Sequence, residues 1–148
     1  MSAQTTLSPQ VNQQVEQLNK IFQAEMAGVI RYLHYSFMIM GYNRIPIQKW
    51  FRDQAIESQG HAIVIGEKIT SLGGHPTMTP LKIEETHQHS IVALLEETLR
   101  HEEAALVLYK ELVKIAGDDI ALEELAREQV RAEQEHIDEV KKMLKSPN

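Results

Sequence analysis

A chain of 148 residues with a formal net charge of −6 is the size of one domain and can bury a substantial core. It contains no cysteine, which excludes disulfides, thiolate zinc sites and iron–sulfur clusters, so any metal must be held by carboxylates and imidazoles. There is no block of Lys and Arg to engage a phosphate backbone, and no apolar run approaches the roughly 20 residues that span a bilayer, so neither nucleic acid nor a membrane is an expected partner.

Residues 1–9 are expected to form a flexible tail without signal-peptide character, and residues 10–146 a single helical unit in a cytoplasmic protein. The first helical segment starts after Ser8-Pro9, with Pro at an early helical position, and runs to about Met40 before Gly41-Tyr42-Asn43. Its apolar seam is Leu18, Phe22, Val29, Tyr32 and Ile39. The second starts near Ile45-Pro46 and stops at Gly73-Gly74-His75-Pro76. A polar stretch with Pro76 and Pro80 follows to about Glu84. The third carries Leu95, Leu99, Leu106, Tyr109 and Val113 and stops near Gly117-Asp118; the fourth carries Leu122, Ala126, Val130, Ile137, Val140 and Leu144. Spacings of three and four residues dominate, with no convincing two-residue alternation, so an all-α fold is expected.

The residues that interrupt these seams carry the chemistry. Glu25 falls in the stripe of the first segment and Glu102 in that of the third. Glu133 and His136 lie one turn apart in the fourth, and Glu57 and His61 one turn apart in the second. Any one of these could be an ordinary glutamate at a seam edge. Together they form a repeat: Glu25 precedes Tyr32 and Glu102 precedes Tyr109 at the same interval, and each pair is followed by a helix holding a Glu and a His. An internal duplication of a two-helix unit accounts for this. Unpaired carboxylates in a core are costly, and several of them with two imidazoles call for a shared counter-charge. A pair of metal cations supplies it, with iron or manganese favoured by ligand hardness and zinc an alternative.

Helix rise tests whether these groups can meet. From Glu25 to Met40, and from the start of the second helix to Glu57 and His61, the distances are both of order 20 Å at about 1.5 Å per residue. The second half gives the same value, so in two antiparallel hairpins all the groups come to one level. The dozen or so residues between the hairpins can extend to about 40 Å. That is enough to return along the bundle and set helices two and three parallel.

A Glu from each of two helices plus a Glu/His pair from each of the others is the pattern of di-iron carboxylate bundles. The chain resembles the bacterioferritins and the wider ferritin-like di-iron family from about residue 11 to 145. The resemblance is carried by Leu18-Asn19-Lys20 leading to Glu25 and Tyr32, by His61-Ala62 running to Gly74-His75-Pro76, and by Glu133-Gln134-Glu135-His136-Ile137-Asp138. It implies a ferritin-like four-helix bundle, with hairpins 1–2 and 3–4 joined by a crossover, and a ferroxidase centre. There Glu25 and His61 would bind one iron, Glu102 and His136 the other, and Glu57 and Glu133 would bridge. Tyr32 would stand close enough to supply an electron or a hydrogen bond. The implied reaction is oxidation of Fe(II) by O2 or peroxide, with storage of the product in a homodimer or larger homo-oligomeric cage.

Three departures accompany the resemblance. Ser58 stands where the family has the second-helix Glu, and Glu57 lies four residues before His61 instead of three, so a local helix bulge would be one way to re-aim it. The position of the family's haem-binding Met is taken by Gln59 (or Ser58), which speaks against haem. A fifth helix is not expected. Two other readings stay open: a small di-iron or di-manganese enzyme that reduces peroxide, and a metal-depleted bundle acting as a binding or structural subunit. Among the remaining residues, Trp50 and Phe51 are read as packing or interface residues, His34 as outward, and His75, His87, His89 and His101 as solvated. Tyr109 is read chiefly as core, with a hydrogen bond to a ligand carboxylate as the lesser alternative.

Overall fold

A computed structural model describes residues 6–147, so the first five residues of the expected tail lie outside the described residues. Four α-helices are present among the described residues: α1 (Pro9–Met38), α2 (Arg44–Ser71), α3 (Ile91–Ile115) and α4 (Ile120–Leu144). Three of the four starts are capped as their sequences require. Ser8 Oγ accepts from Val11 N at 3.2 Å, Ser90 Oγ from Ala93 N at 3.0 Å, and Asp119 Oδ1 from Leu122 N at 3.0 Å. Pro9 occupies the first turn of α1, where its missing N–H costs nothing. α2 is an uninterrupted α-helix, without the bulge that would re-aim Glu57.

Side-chain contacts fix the helix directions. Gln14 and Gln17 of α1 donate to carbonyls at Ile115, Ala116 and Leu108 of α3, and Tyr35 donates to Glu97. Positions rising along α1 thus meet positions falling along α3, and the pair is antiparallel. Arg52 Nε donating to Ser36 and the approach of His61 to Glu25 set α2 antiparallel to α1 in the same way. α2 and α3 are therefore parallel.

The connection that makes this possible, residues 72–90, is longer than expected and follows α1 from near its first third to its end. Asn19 donates to His75 O and accepts from Thr77 N, and Gln23 donates to Thr79 O. At the far end Met40 N donates to His89 O at 3.0 Å. These bonds satisfy a strap that has no secondary structure of its own.

The core is two apolar clusters stacked along the bundle. Leu18, Ile21, Ile65, Ile69, Leu112 and Leu122 belong to one, and Tyr35, Ile39, Phe51, Leu94, Leu95 and Val140 to the other. Between them lies a polar layer, and every helix contributes to it.

Candidate metal centre

Glu25 from α1, Glu102 from α3 and Glu133 from α4 are 5%, 9% and 4% exposed, so three carboxylates share a low-dielectric layer at mid-height. His61 Nδ1 lies 3.5 Å from Glu25 Oε1 and 3.8 Å from Glu133 Oε1, and His136 Nδ1 lies 3.4 Å from Glu102 Oε2. Two triads result, Glu25/His61/Glu133 and Glu102/Glu133/His136, each with donor atoms within 4.8 Å of one another. Glu133 is common to both. Glu133 Oε2 and His136 Nε2 are buried with no hydrogen-bond partner, so donor capacity is left over in the layer. The space between α2 and α4 beside these groups is about 10 Å³, room for a water-sized particle or an ion and little more. The donor set suits one or two hard or borderline cations such as iron or manganese.

Electrostatics point the same way. Burial and the neighbouring Glu102 push Glu133 far above the usual carboxylate range. Burial also opposes ionisation of Glu102, but hydrogen bonds from Glu133 and His136 outweigh it and hold Glu102 below that range. Without a cation, the two acids thus divide into one protonated and one ionised partner. Burial disfavours the charged forms of His61 and His136, yet Glu25 and Glu102 respectively overcome it and raise both.

Two tyrosines brace the buried carboxylates across the halves of the bundle. Tyr109 OH from α3 donates to Glu25 Oε1 at 2.8 Å, and Tyr32 OH from α1 donates to Glu102 Oε1. Burial and the facing carboxylates keep both phenols well above their usual range, so both remain donors. The repeat in the sequence is thus a pseudo-symmetric exchange, each half's tyrosine serving the other half's glutamate. Trp50 stacks on His136 with ring centroids 5.6 Å apart and planes 21° apart, fixing the imidazole from outside the layer.

Glu57 stands at the rim. Its side chain is 51% exposed and Oε1 lies 3.8 Å from His61 Nε2, outside both triads but lining the same cleft. Ser58 points inward, 8% exposed, and its Oγ would lie 3.1 Å from a Cβ added at Gly28. A helix advances about 100° per residue, so of these two neighbours Ser58 takes the inward position and Glu57 the rim of the cleft.

Two functional features escape sequence reasoning. Gln14 and Gln17 look like surface polars but bond to the backbone of α3. Glu97, 7% exposed, accepts from Tyr35 at 2.8 Å and from Thr86 at 2.6 Å, tying the strap to the bundle. Tyr109 is both core and donor to Glu25, so the lesser of its two sequence readings holds beside the main one.

Residues 15–147 match the family model described as a ferritin-like domain. Over 129 residues the chain is 28% identical to the bacterioferritin of Rhodobacter capsulatus, covering 84% of this chain and 78% of that protein. It is likewise 28% identical over 129 residues to a nutrient stress-induced DNA-binding protein of a Synechococcus strain, covering 80% of this chain and 72% of that one. Among solved structures, the ferritin-like diiron-carboxylate proteins of Bacillus anthracis superpose with a TM-score of 0.88 at 26% identity, over 94% of this chain and 100% of the other.

Proposed function

The chain belongs to the ferritin-like domain family, and from that premise we propose that it binds Fe(II) at Glu25, His61, Glu102, Glu133 and His136 and oxidises it with O2 or H2O2. The Fe(III) product is stored in a homo-oligomer of the chain, in a cytoplasmic setting. One observation carries this reading: three buried carboxylates and two imidazoles from four helices face one another around a cleft of ionic size, and donor atoms among them lack partners. Desolvating that much negative charge is costly unless cations share it.

Fe(II) is the substrate, and each ion gives up one electron to the oxidant. The residues do the rest. Glu133 stands between the triads and would bridge two ions, releasing the proton it holds when no cation is bound. Tyr32 and Tyr109 donate to Glu102 and Glu25, which fixes the carboxylate orientation; Glu102 would offer the metal its other oxygen, the one that faces His136. Tyr32 would also be the source of an additional electron. Trp50 shields His136 from water. Glu57 at the rim would capture incoming ions and complete the set as a second bridge when it swings inward. Haem has no part in this reading, and Mn(II) or Zn(II) would compete for the same donors.

Ser58 in the inward position gives the metal-depleted alternative its one foothold, because it removes a buried carboxylate from α2. An anaerobic Fe(II) titration of metal-stripped protein, followed by O2 or H2O2, separates the readings. Saturation near about two ions per chain, then rapid appearance of Fe(III) absorbance, is expected for a two-ion centre. No uptake by wild-type protein ends the proposal. Retention of soluble Fe(III) by a multi-subunit species supports storage, whereas peroxide consumed by a dimer without retained iron supports the redox-enzyme alternative. Nucleic acid is not part of the reading: the net charge of −6 opposes binding a phosphate backbone.

A further inference from the structure

Away from the α2/α4 cleft, the α1/α3 side of the bundle carries a second chemical feature that the metal reading does not use. Beneath the strap lies a cavity of about 430 Å³ whose lining includes Arg31, Lys82, Arg100, His101, Thr86 and Glu97. Among the described residues, none of Arg31, Lys82 and Arg100 makes an ion pair with a carboxylate. Arg31 Nε is buried and has no hydrogen-bond partner. Glu97 and Glu84 also line the space, but Glu97 already accepts from Tyr35 and Thr86, so its oxygens are engaged. Three cations against two carboxylates leave the concavity net positive in an acidic protein, and the half-buried Arg31 guanidinium keeps an Nε without an acceptor, which forfeits its hydration for nothing.

We propose that this cavity is a binding site for a tetrahedral inorganic oxyanion of the phosphate class. Arg31 and Arg100 supply planar donor forks and Lys82 a mobile point charge from the strap, a donor set matched to an acceptor-only ligand. The volume admits the ion with part of its hydration. A smaller cavity of about 80 Å³ shares Arg31 and His101 with the first and is also lined by Glu25 and Glu102, beside the small Ala24, Gly28, Ser58 and Ala104. The oxyanion would thus sit one cavity away from the ligand carboxylates, on the face of the bundle opposite the His61/His136 cleft. The site needs no metal, so its test is independent of the iron reading.

Calorimetric titration of metal-stripped, full-length protein with inorganic phosphate, against chloride at matched ionic strength, tests it. Saturable binding of phosphate, displaced by sulfate or arsenate and absent with chloride, is expected. Arg100→Gln and Lys82→Gln change exposed side chains and should fold; each is expected to weaken phosphate binding at least about tenfold, the loss of one charge-assisted contact. Arg31→Gln should abolish it. Lys110→Gln, elsewhere on α3, should bind as wild type. Absence of saturable phosphate binding by the wild type overturns the proposal. So does wild-type affinity in folded Arg100→Gln and Lys82→Gln, which would assign any binding seen to another part of the surface. Should Arg31→Gln fail to fold, the two exposed variants decide.

Discussion

Glu133 is the residue on which the centre turns, since both triads need it and its Oε2 has no other partner. Replacing it with Gln keeps the shape and removes the charge. Metal affinity, read by calorimetry with Zn(II) or anaerobic Fe(II), should fall by at least about a hundredfold, the upper end of what weaker perturbations at metal sites cost. Wild-type affinity in Glu133→Gln would remove Glu133 from the site. The same residue sets a pH trend in the metal-free chain. Glu133, His61 and His136 all have folded pKa values raised above their unfolded ones. A raised group contributes stability that is present below its unfolded pKa and lost as pH rises through its folded pKa. Glu102 has the opposite sign, but its contribution is lost only in acid, below the ordinary carboxylate range. Thermal unfolding of metal-free protein should therefore shift to lower temperature as pH rises above about 6.5, the unfolded histidine value. Metal-loaded protein should lose much of this trend, since cations replace the protons. A metal-free chain that grows steadily more stable over that range would contradict the buried proton on Glu133. At this scale the sequence is legible where a polar residue breaks an apolar stripe, as Glu25, Glu102, Glu133 and His136 do. It is silent at Gln14 and Glu97, whose partners lie on another helix or on the strap and become visible only once helix register is known.

Helix ends show where local chemistry sets the architecture. α3 stops at Ile115, and the chain turns into α4 through Gly117 at φ +61°. At the end of α3, Ala116 O accepts from Asp119 N, and Gln14 Nε2 reaches across from α1 to donate to both Ile115 O and Ala116 O, at 3.1 and 2.9 Å. One side chain thereby closes α3 and locks the height of α1 against it. A Cβ at Gly117 would both strain the left-handed backbone and collide with Gln10 Nε2. Gly117→Ala should cost about 1–2 kcal/mol in chemical denaturation from backbone conformation alone, and more if Gln10 cannot move. Zn(II) affinity of the folded variant should be unchanged, because the turn lies a helix end away from the metal layer; a parallel loss of metal binding would mean that the hairpin register had slipped. The helices and their relative heights were readable because stripes of three and four residues persist through all of them and Gly marks the ends. The strap read less well. Its residues beyond Glu84 carry neither periodicity nor a helix signal until Ser90, and they owe their course to α1, through Asn19 and Gln23, which no local pattern announces.

Across the whole molecule, the apolar clusters above and below the polar layer are closed, but the first hairpin is not. Ile30, Leu33 and Phe37 of α1 and Ile56 and Ile63 of α2 are 40–68% exposed. Arg52 lies over the Phe37 ring at 5.5 Å, so the outer faces of the two helices adjoin there. Leu33 and Ile30 continue from Phe37 by steps of one and two turns, and Ile56 and Ile63 continue from Arg52 by steps of one and three turns. The five side chains therefore flank a single strip running along α1 and α2, away from the metal cleft. In the homo-oligomer proposed above, this strip would be the surface at which chains associate, since exposed apolar side chains grouped in one place are unfavourable in water. The second hairpin has fewer such residues: of its exposed large apolar side chains, Val92, Val107 and Ile120 are widely spaced along the helices. A second copy meeting the strip through its own strip would bury both at once, the self-complementary geometry of a two-fold dimer and a natural first step toward a larger shell. Phe37→Glu and Ile63→Glu each place a charge on this strip without touching the core or the polar layer. Each should shift the particle to a smaller species in sedimentation or light scattering, and the double variant should be a monomer. Zn(II) affinity per chain should survive in both, because every ligand comes from within one chain. An unchanged particle size in the double variant would put the subunit contact elsewhere, and loss of Zn(II) with the particle would mean that the layer holds its shape only when the strip is covered.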